Sequence, residues 1–366
     1  MKGMVKDMGG NQKHKKQPIL WLNCAKLVAI FAVMTDHTNG ILYTNPGVAW
    51  ASYFAVSLFI IISGITSYMS NSHSTLGWGK AYLRSVKKIF VAYLIASAIC
   101  LMIKTHRFDL ISYLNCLVHF NASLPLYYVF LYLQLMLVSR LLFEILQYCP
   151  RNKKGYIQEI ILFMFIIGIS IVTTNYTQIL DIYGGGGKVL GGTYLILFYF
   201  GMLIARHEWL AKETNKKSVL IWLMSSVCWL LWWKNLGNSR NLIDSKVPFG
   251  YGFNPPSITF MVFAIFTLFA VYGFCKILEK KDSTKKLVEI GSWLGTHTLY
   301  IFMYHMIILY FFIMPYLNIE NVWLKRGVYW GLMILIPIIL EYTVKGCVIT
   351  TKKFLSFTKI KIGYKE

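Results

Sequence analysis

The amino-acid sequence is divided into ten apolar runs, each close to the length that one helix needs to cross a bilayer. A spanning helix needs about 20 mostly apolar residues. The ten runs are residues 19–36, 49–70, 86–103, 124–146, 157–175, 189–206, 218–234, 256–278, 292–314 and 328–346. Since the connections between them are short and polar, we predict an all-α polytopic membrane protein of about ten transmembrane helices. Residues 19–346 form one predicted membrane domain, and residues 1–18 and 347–366 two basic tails.

The composition agrees with a membrane protein and sets the environment of the chain. Hydrophobic residues make up 56% of the 366 residues and charged residues 14%, whereas a soluble domain is about 45–50% apolar with roughly a quarter charged. The net charge of +22 would suit nucleic-acid binding if it gathered on a soluble face. The Lys and Arg residues lie mostly between apolar runs instead. We therefore expect the lipid bilayer, and no nucleic acid, as a partner.

The positive charges concentrate in alternate connections, which sets the orientation. With the N-terminus in the cytoplasm, the even-numbered connections are cytoplasmic and hold most of the cations. These are Lys80, Arg84, Lys87, Lys88, Arg151, Lys153, Lys154, Arg206, Lys212, Lys216, Lys217, Lys276, Lys280, Lys281, Lys285 and Lys286. The first outer connection, 38–48, has none. Both termini are therefore predicted to be cytoplasmic.

The first apolar run contains ionisable residues, which are rare inside a membrane. A Lys or Asp at the centre of a spanning helix costs about 2.5–3.5 kcal/mol on insertion scales, and this run carries Lys26, Asp36 and His37. Lys26 and His37 are eleven residues apart. Both side chains therefore project from nearly one helix face, roughly 16 Å apart along the axis. The alternative is that Lys26 snorkels to the inner surface and His37 only marks the helix end.

Four further sequence features bear on possible sites: Asp36, the cysteines, Ser63 with Gly64, and the glycine-rich connections. Asp36 points about 100° away from His37 on a helix, so it can orient the imidazole only if the helix ends there. None of the seven Cys residues forms a CxxC pair, so we predict no metal site or disulfide framework. Ser63 with Gly64 indicates close helix packing, because no Gly-x-Ser-x-Gly motif surrounds the serine. The glycine run 184–187, like the connection 235–256, is either flexible or a mobile lip over a cleft.

Five segments, in this order, carry a resemblance to a known family. They are WLNCAKLVAIFAVMTDHTNG from Trp21, VSLFIIISGITSYM from Val56, YLRSVKKIFVAYLIAS from Tyr82, LPLYYVFLYLQLMLVSRLL from Leu124 and LGTHTLYIFMYHMIIL from Leu294. Together, over roughly residues 19–345, they resemble the acyltransferase-3 family of membrane O-acyltransferases. That family has an Arg, ten residues and a His in its first helix. Lys26 takes the Arg position here, which keeps the charge but loses the planar fork of a guanidinium.

The resemblance implies a reaction and a location. A protein of this kind moves an acetyl or other short acyl group from cytoplasmic acyl-CoA to a hydroxyl of an envelope or surface polysaccharide, at the bacterial cytoplasmic membrane. Acyl-CoA is then a donor substrate, with no permanently bound cofactor, and the acceptor is a lipid-linked or surface glycan. Oxygen-rich phosphates of CoA need cations at the inner face, and an imidazole with a pKa of about 6.5 can take a hydroxyl proton at neutral pH.

The resemblance also implies roles for individual residues. The predicted site residues are His37, Lys26 and Asp36 for catalysis, with His37 as general base; Arg84, Lys87 and Lys88 for the phosphates of CoA; and Tyr93, Tyr127 and His305 as substrate-binding or supporting residues. Arg84 and Lys87 stand for the family's paired Arg residues, and Tyr127 for its usual Trp. No metal ligand is predicted.

Each of these roles has an alternative. The cations around Arg84 are equally explained as ordinary positive-inside charge, and His305 as a packing histidine between helices. A covalent acyl-His37 intermediate is the alternative to direct attack by the acceptor. The whole chain is alternatively a transporter or flippase without acyl-transfer chemistry, with Lys26 and His37 in a translocation path. Many transporters contain internal repeats, and the sequence shows no convincing one.

Overall fold

The structure is a computed structural model, and it describes residues 19–182, 184–210, 215–236, 243–244, 246, 249 and 252–362. For residues 215 and 347–362 it describes the backbone alone. The predicted tail 1–18, the end of the second tail at 363–366 and much of the connection 235–256 lie outside the described residues.

In the described part of the chain the regular elements are helices, which confirms the all-α class. The helices are α1 (Leu20–His37), α2 (Pro46–Ser52), α3 (Ala55–Ser72), α4 (Trp78–Thr105), α5 (Leu110–His119), α6 (Tyr127–Tyr148), α7 (Lys153–Tyr176), α8 (Tyr194–Arg206), α9 (Asn215–Lys234), α10 (Ile258–Leu278), α11 (Asp282–Gly295), α12 (Thr298–Ile308) and α13 (Val322–Ile362). Short 3₁₀ turns lie at Leu124–Leu126, Gly184–Gly187 and Val189–Gly191, and a π turn extends α12 over Leu309–Ile313.

Six helical segments in the described residues are long and apolar enough to cross a membrane. They are Pro46–Ser72, Trp78–Thr105, Leu124–Tyr148, Lys153–Tyr176, Ile258–Leu278 and Val322–Gly346. The bent pair α11 and α12 adds a seventh if it is counted as one span. The predicted spans at α1, α8 and α9 fall outside this set: α1 carries Lys26 and Asp36, and α8 has only 13 residues. The architecture is multi-pass, while the count of ten stays a prediction.

The first helix, α1, is surrounded by other helices, which explains how it can carry polar residues. It packs against α3, α10, α11 and α12, and its small residues Ala25 and Ala29 are fully buried. Its backbone lies close to that of α11, where a Cβ on Gly295 would be 2.0 Å from the carbonyl oxygen of Asn23. The side chain of Asn23 also donates to Ser292 Oγ at 3.1 Å. Glycine at position 295 therefore fixes the distance between α1 and the end of α11.

Helices α3 and α8 meet through a pair of glycines. A Cβ on Gly64 would lie 2.0 Å from the carbonyl oxygen of Phe198, and one on Gly201 would lie 2.1 Å from that of Ile61. Small residues allow helix backbones to approach this closely in a membrane, where packing rather than the hydrophobic effect holds helices together. The interpretation of Ser63 with Gly64 as a packing motif agrees with this contact.

The predicted span 292–314 is not one straight helix. The chain bends by 65° between α11 and α12, with Thr296 as the residue that ends α11 and His297 as the one that precedes α12. His297 is 3% exposed, and its Nδ1 lies 2.7 Å from Glu341 Oε2 on α13. This hydrogen bond anchors the bend to α13.

A second buried polar cluster joins α7 to the end of α8. The guanidinium of Arg206, 3% exposed, donates from Nε to Glu159 Oε1 and from Nη2 to the carbonyl oxygen of Cys149. His207 Nε2 lies 2.6 Å from the other oxygen of Glu159. Because the carboxylate has partners on both oxygens, this buried charge is compensated.

The glycine run 184–187 is a packed element, which neither alternative from the sequence anticipated. Three of its four residues are buried, and Gly185 N–H donates to Asn254 Oδ1 at 2.8 Å. A Cβ on Gly186 would lie 2.9 Å from the carbonyl oxygen of Tyr127. The run therefore supports the start of α6, because only glycine leaves room for the backbone there.

Candidate active site

Two cavities lie along one face of α1. The first, called the Lys26 cavity here, has a volume of about 240 Å³ and is lined by α1, α3, α4, α6 and the bend between α11 and α12. The second, the His37 cavity, has a volume of about 120 Å³ and is lined by the end of α1, by α2 and α3, and by the start of α6. The side chain of Phe302 on α12 belongs to both linings. Lys26 and His37 thus border two cavities that meet at one residue.

His37 is the last residue of α1 and faces the His37 cavity. The hydroxyl of Thr38, the residue after the helix, donates to the carbonyl oxygen of Met34 at 2.7 Å and so provides a partner for a carbonyl of the last turn. Among the described residues no hydrogen bond or ion pair engages the imidazole nitrogens of His37. A neutral imidazole without such a partner has a nitrogen lone pair that can accept a proton from a bound hydroxyl group.

Asp36 lines the same cavity as His37. The sequence allowed Asp36 a role beside the imidazole only if the helix ended at that point, and α1 does end at His37. Within the described residues its carboxylate forms no ion pair. A carboxylate that borders the cavity is therefore available to accept hydrogen bonds from the hydroxyl groups of a ligand.

His305 on α12 is the nearest imidazole to His37. It is 0% exposed, and the ring centroids of the two histidines lie 5.2 Å apart. His305 Nδ1 lies 3.0 Å and 2.9 Å from the carbonyl oxygens of Ile301 and Phe302. Since a carbonyl only accepts, this nitrogen carries the proton, and Nε2 is left as an acceptor with no partner in the described part of the chain.

The Lys26 cavity has a cationic lining. Lys26 Nζ donates to Asn23 Oδ1 at 3.3 Å, and Lys88 on α4 lines the same space with its Nζ 3.9 Å from Glu341 Oε1. The bend contributes Gly295, Thr296 and Thr298 to the lining, and Thr298 begins α12. The N-terminus of a helix carries a partial positive charge. Two ammonium groups and one helix N-terminus therefore face the same cavity.

The structure does not bring every predicted site residue to these cavities. Arg84 and Lys87 are exposed and belong to neither lining, although Lys88, on the same helix, belongs to one. Tyr93 is fully buried elsewhere: its hydroxyl donates to the carbonyl oxygen of Leu117 at 2.8 Å, which joins α4 to α5. Tyr127, by contrast, lines the His37 cavity.

Several residues of the cavities were not anticipated from the sequence. Tyr128 and Tyr132 line the Lys26 cavity, and Tyr53 lines the His37 cavity, with its ring stacked on that of Phe253 at a centroid distance of 4.4 Å. The spacing of Tyr128 and Tyr132 by four residues marks one helix face and was a usable signal. Phe302 has no such signal, since it is one aromatic residue in an apolar run.

The sequence was compared with protein-family models, curated proteins and solved structures. Residues 19–349 match the model of a protein family described as an acyltransferase domain, the acyltransferase-3 model. No match was found among curated proteins or among solved structures. The matched range contains all the described residues of both cavities.

Proposed function

We propose, since the chain belongs to the acyltransferase-3 family, that this multi-pass membrane acyltransferase moves an acetyl or other short acyl group from cytoplasmic acyl-CoA to a hydroxyl of an envelope or surface polysaccharide. The observation that supports this most directly is the pair of cavities along α1. One has a cationic lining that suits an anionic donor, and the other has a histidine with a nitrogen available as a base.

The proposed topology has ten crossings with both termini in the cytoplasm of a bacterial cell membrane, where the basic tails 1–18 and 347–366 also lie. In this orientation the start of α1 is cytoplasmic and His37 lies toward the outside. The Lys26 cavity then opens toward the cytoplasmic supply of acyl-CoA. Acyl-CoA, the anionic donor, is on the cytoplasmic side of the membrane, and the acceptor glycan is on the outer side. The arrangement of the two cavities therefore suits transfer of the acyl group across the membrane.

The donor binds in the Lys26 cavity. Lys26 and Lys88 face this space, and the phosphates of CoA attract ammonium groups more strongly in a membrane protein than in water. Arg84 lies one turn before Lys88 on α4, and Lys87 directly precedes Lys88. The exposed side chains of Arg84 and Lys87 reach the nucleotide end of CoA outside the cavity. The thioester end of the donor then points toward Phe302 and His37.

The acceptor hydroxyl enters the His37 cavity and reacts directly with the thioester. The hydroxyl proton moves to the imidazole of His37 while the oxygen attacks the thioester carbonyl. A C–O bond forms, the C–S bond breaks, and the departing sulfur takes the proton back from His37. The products are an O-acyl ester and CoA with a free thiol, so the step needs no oxidant or reductant. Asp36 accepts a hydrogen bond from a second hydroxyl of the sugar.

Labelled donor tests this function. Membranes that contain the protein and its native glycans are incubated with acetyl-CoA carrying a ¹³C label, and the glycans are examined by mass spectrometry. The wild type is expected to add the acetyl mass, and His37→Ala to add none while remaining in the membrane. His119→Ala, which changes an exposed histidine on α5, is the matched control and retains the activity.

The same assay separates the remaining alternatives. Acetylation by His37→Ala at the wild-type rate would refute the assignment of the base. Label that remains on His37 in the absence of acceptor would replace direct attack with a covalent acyl-enzyme. Accumulation of an unmodified glycan precursor inside vesicles, without covalent change, would support a carrier, although the family match favours bond chemistry.

A further inference from the structure

The ring of Phe302 separates the two cavities. Phe302 is 6% exposed and contributes to the lining of both. Its ring centroid lies 5.0 Å from that of Tyr128 on α6 and 6.3 Å from that of Phe59 on α3. It also lies 6.1 Å from the ring of His305 on the same helix. Phe302 is therefore packed against aromatic rings of α3 and α6 at the boundary of the two cavities, and is called the partition here.

This position puts Phe302 on the path between donor and base. Lys26 borders one cavity and His37 the other, so a thioester held on the side of Lys26 must come past Phe302 before an oxygen beside His37 can attack it. A Phe side chain changes rotamer without breaking a hydrogen bond, because it has none to break. The space that becomes available in this way is small, since the neighbouring rings surround it closely.

We infer that Phe302 determines donor specificity by limiting the length of the acyl group, and this inference rests on the proposed function. The methyl group of an acetyl thioester fits beside the displaced ring, whereas a longer acyl chain needs the volume that the ring itself occupies. Protein interiors are packed densely enough for a change of one methylene group to be felt. Hydrophobic pockets discriminate by about 10–200-fold per methylene group.

A competition between two donors tests the inference. Membranes containing each variant are given equal concentrations of acetyl-CoA and butyryl-CoA, and mass spectrometry gives the ratio of butyrylated to acetylated glycan. Because both products form in one reaction, this ratio is independent of how much folded protein each variant yields. Phe302→Ala is expected to raise the ratio about tenfold or more relative to the wild type, and Phe302→Leu to raise it by less.

The matched control is Phe143→Ala. Phe143 is a buried phenylalanine on α6 that lines neither the Lys26 cavity nor the His37 cavity, so its removal loosens packing without opening the partition, and the ratio is expected to stay near the wild-type value. An increase in Phe143→Ala equal to that in Phe302→Ala would overturn the inference, because a general loss of packing rather than the partition would then set the length.

The outcomes also separate this inference from the proposed function. A wild type that acetylates glycan, together with unchanged ratios in both Phe302 variants, overturns the role of Phe302 alone. A wild-type protein that uses butyryl-CoA as readily as acetyl-CoA also overturns the role of Phe302 alone. A wild type that transfers neither group overturns the proposed function, and the inference with it.

Discussion

The ring centroids of His37 and His305 lie 5.2 Å apart, and among the described residues the Nε2 atom of His305 has no hydrogen-bond partner. The backbone carbonyls of Ile301 and Phe302 fix the other nitrogen of His305 as a donor. When His37 takes a proton, it becomes a donor at both nitrogens. A small shift of either ring then lets His37 donate to His305 Nε2, which would stabilise the imidazolium.

Replacing His305 should therefore slow the chemical step. His305→Phe is expected to lower kcat roughly 10–100-fold, because a hydrogen bond to a charged group contributes about 1.5–3 kcal/mol. The KM for acyl-CoA should not change, since His305 belongs to the lining of neither cavity. His305→Gln, whose side-chain oxygen still accepts, should recover part of the rate. Steady-state kinetics over a range of pH measures both effects, and equal activity in His305→Phe and the wild type would show that the residue only packs.

Lys88 should contribute to the affinity for the donor. It lines the Lys26 cavity, and its Nζ is 3.9 Å from Glu341 Oε1. Lys88→Ala is expected to weaken acetyl-CoA binding roughly tenfold, because a charge-assisted contact to a phosphate is lost. Equilibrium binding of radiolabelled acetyl-CoA to detergent-solubilised protein measures this, and added salt should reduce the difference.

Two further variants complete the test of the cationic lining. Arg84→Ala combined with Lys87→Ala is expected to weaken binding as well, through the nucleotide end of CoA. Lys153→Ala removes an exposed cation at the start of α7 and serves as the control with unchanged affinity. If the Arg84 and Lys87 variant binds acetyl-CoA as the wild type does, these two residues are ordinary cytoplasmic charge.

Adding one methyl group at Gly64 should destabilise the contact between α3 and α8. The new Cβ would lie 2.0 Å from the carbonyl oxygen of Phe198, so the helices must separate, at a cost of roughly 1–3 kcal/mol. Gly168→Ala is the matched control, since a Cβ at that helical position meets nothing within 4 Å. Thermal unfolding in detergent should show a lower Tm for Gly64→Ala and an unchanged or higher Tm for Gly168→Ala. Equal Tm values would mean that the helices do not approach so closely.

The buried cluster at Glu159 should matter far more to stability than an exposed ion pair. Glu159→Ala leaves the guanidinium of Arg206, 3% exposed, without its carboxylate, and a broken buried pair costs about 3–5 kcal/mol. Glu144→Ala removes a partly exposed pair with Arg140 on one helix, which is worth about 0.3–0.5 kcal/mol. Unfolding curves of the two variants should differ accordingly, and similar curves would contradict the structural role of Glu159.

Local patterns in the sequence predicted those features of the fold and the site that depend on the residues of a single helix. The apolar runs predicted the helical architecture, because the period and length of a helix are properties of its own residues. The eleven-residue spacing of Lys26 and His37 likewise placed both on one face of α1. Spacing could not predict which of Arg84 and Lys88 lines a cavity, because the two residues are four apart and lie on the same face of α4. Which of them borders the cavity depends on how α4 rotates against α6 and α12.

The residues that sequence reasoning missed depend on contacts between distant segments. Tyr93 is a predicted site residue, and its hydroxyl donates to the carbonyl oxygen of Leu117 on α5, a partner that no local pattern reveals. Phe302 acquires its position from Phe59 on α3 and Tyr128 on α6. The bend at Thr296 arises where α11 meets α1 through Gly295, so its cause is likewise non-local, and an apolar run alone predicts a straight span.

The bend between α11 and α12 brings Gly295, Thr296 and Thr298 to the edge of the Lys26 cavity, and the heavy atoms of Gly295 are all main-chain atoms. Peptide groups remain in place whichever side chain a position carries. An alanine scan across this segment will therefore understate its share in holding a ligand. Deleting one residue or inserting a proline displaces the backbone of the bend, and so removes the main-chain contacts that side-chain replacement leaves in place.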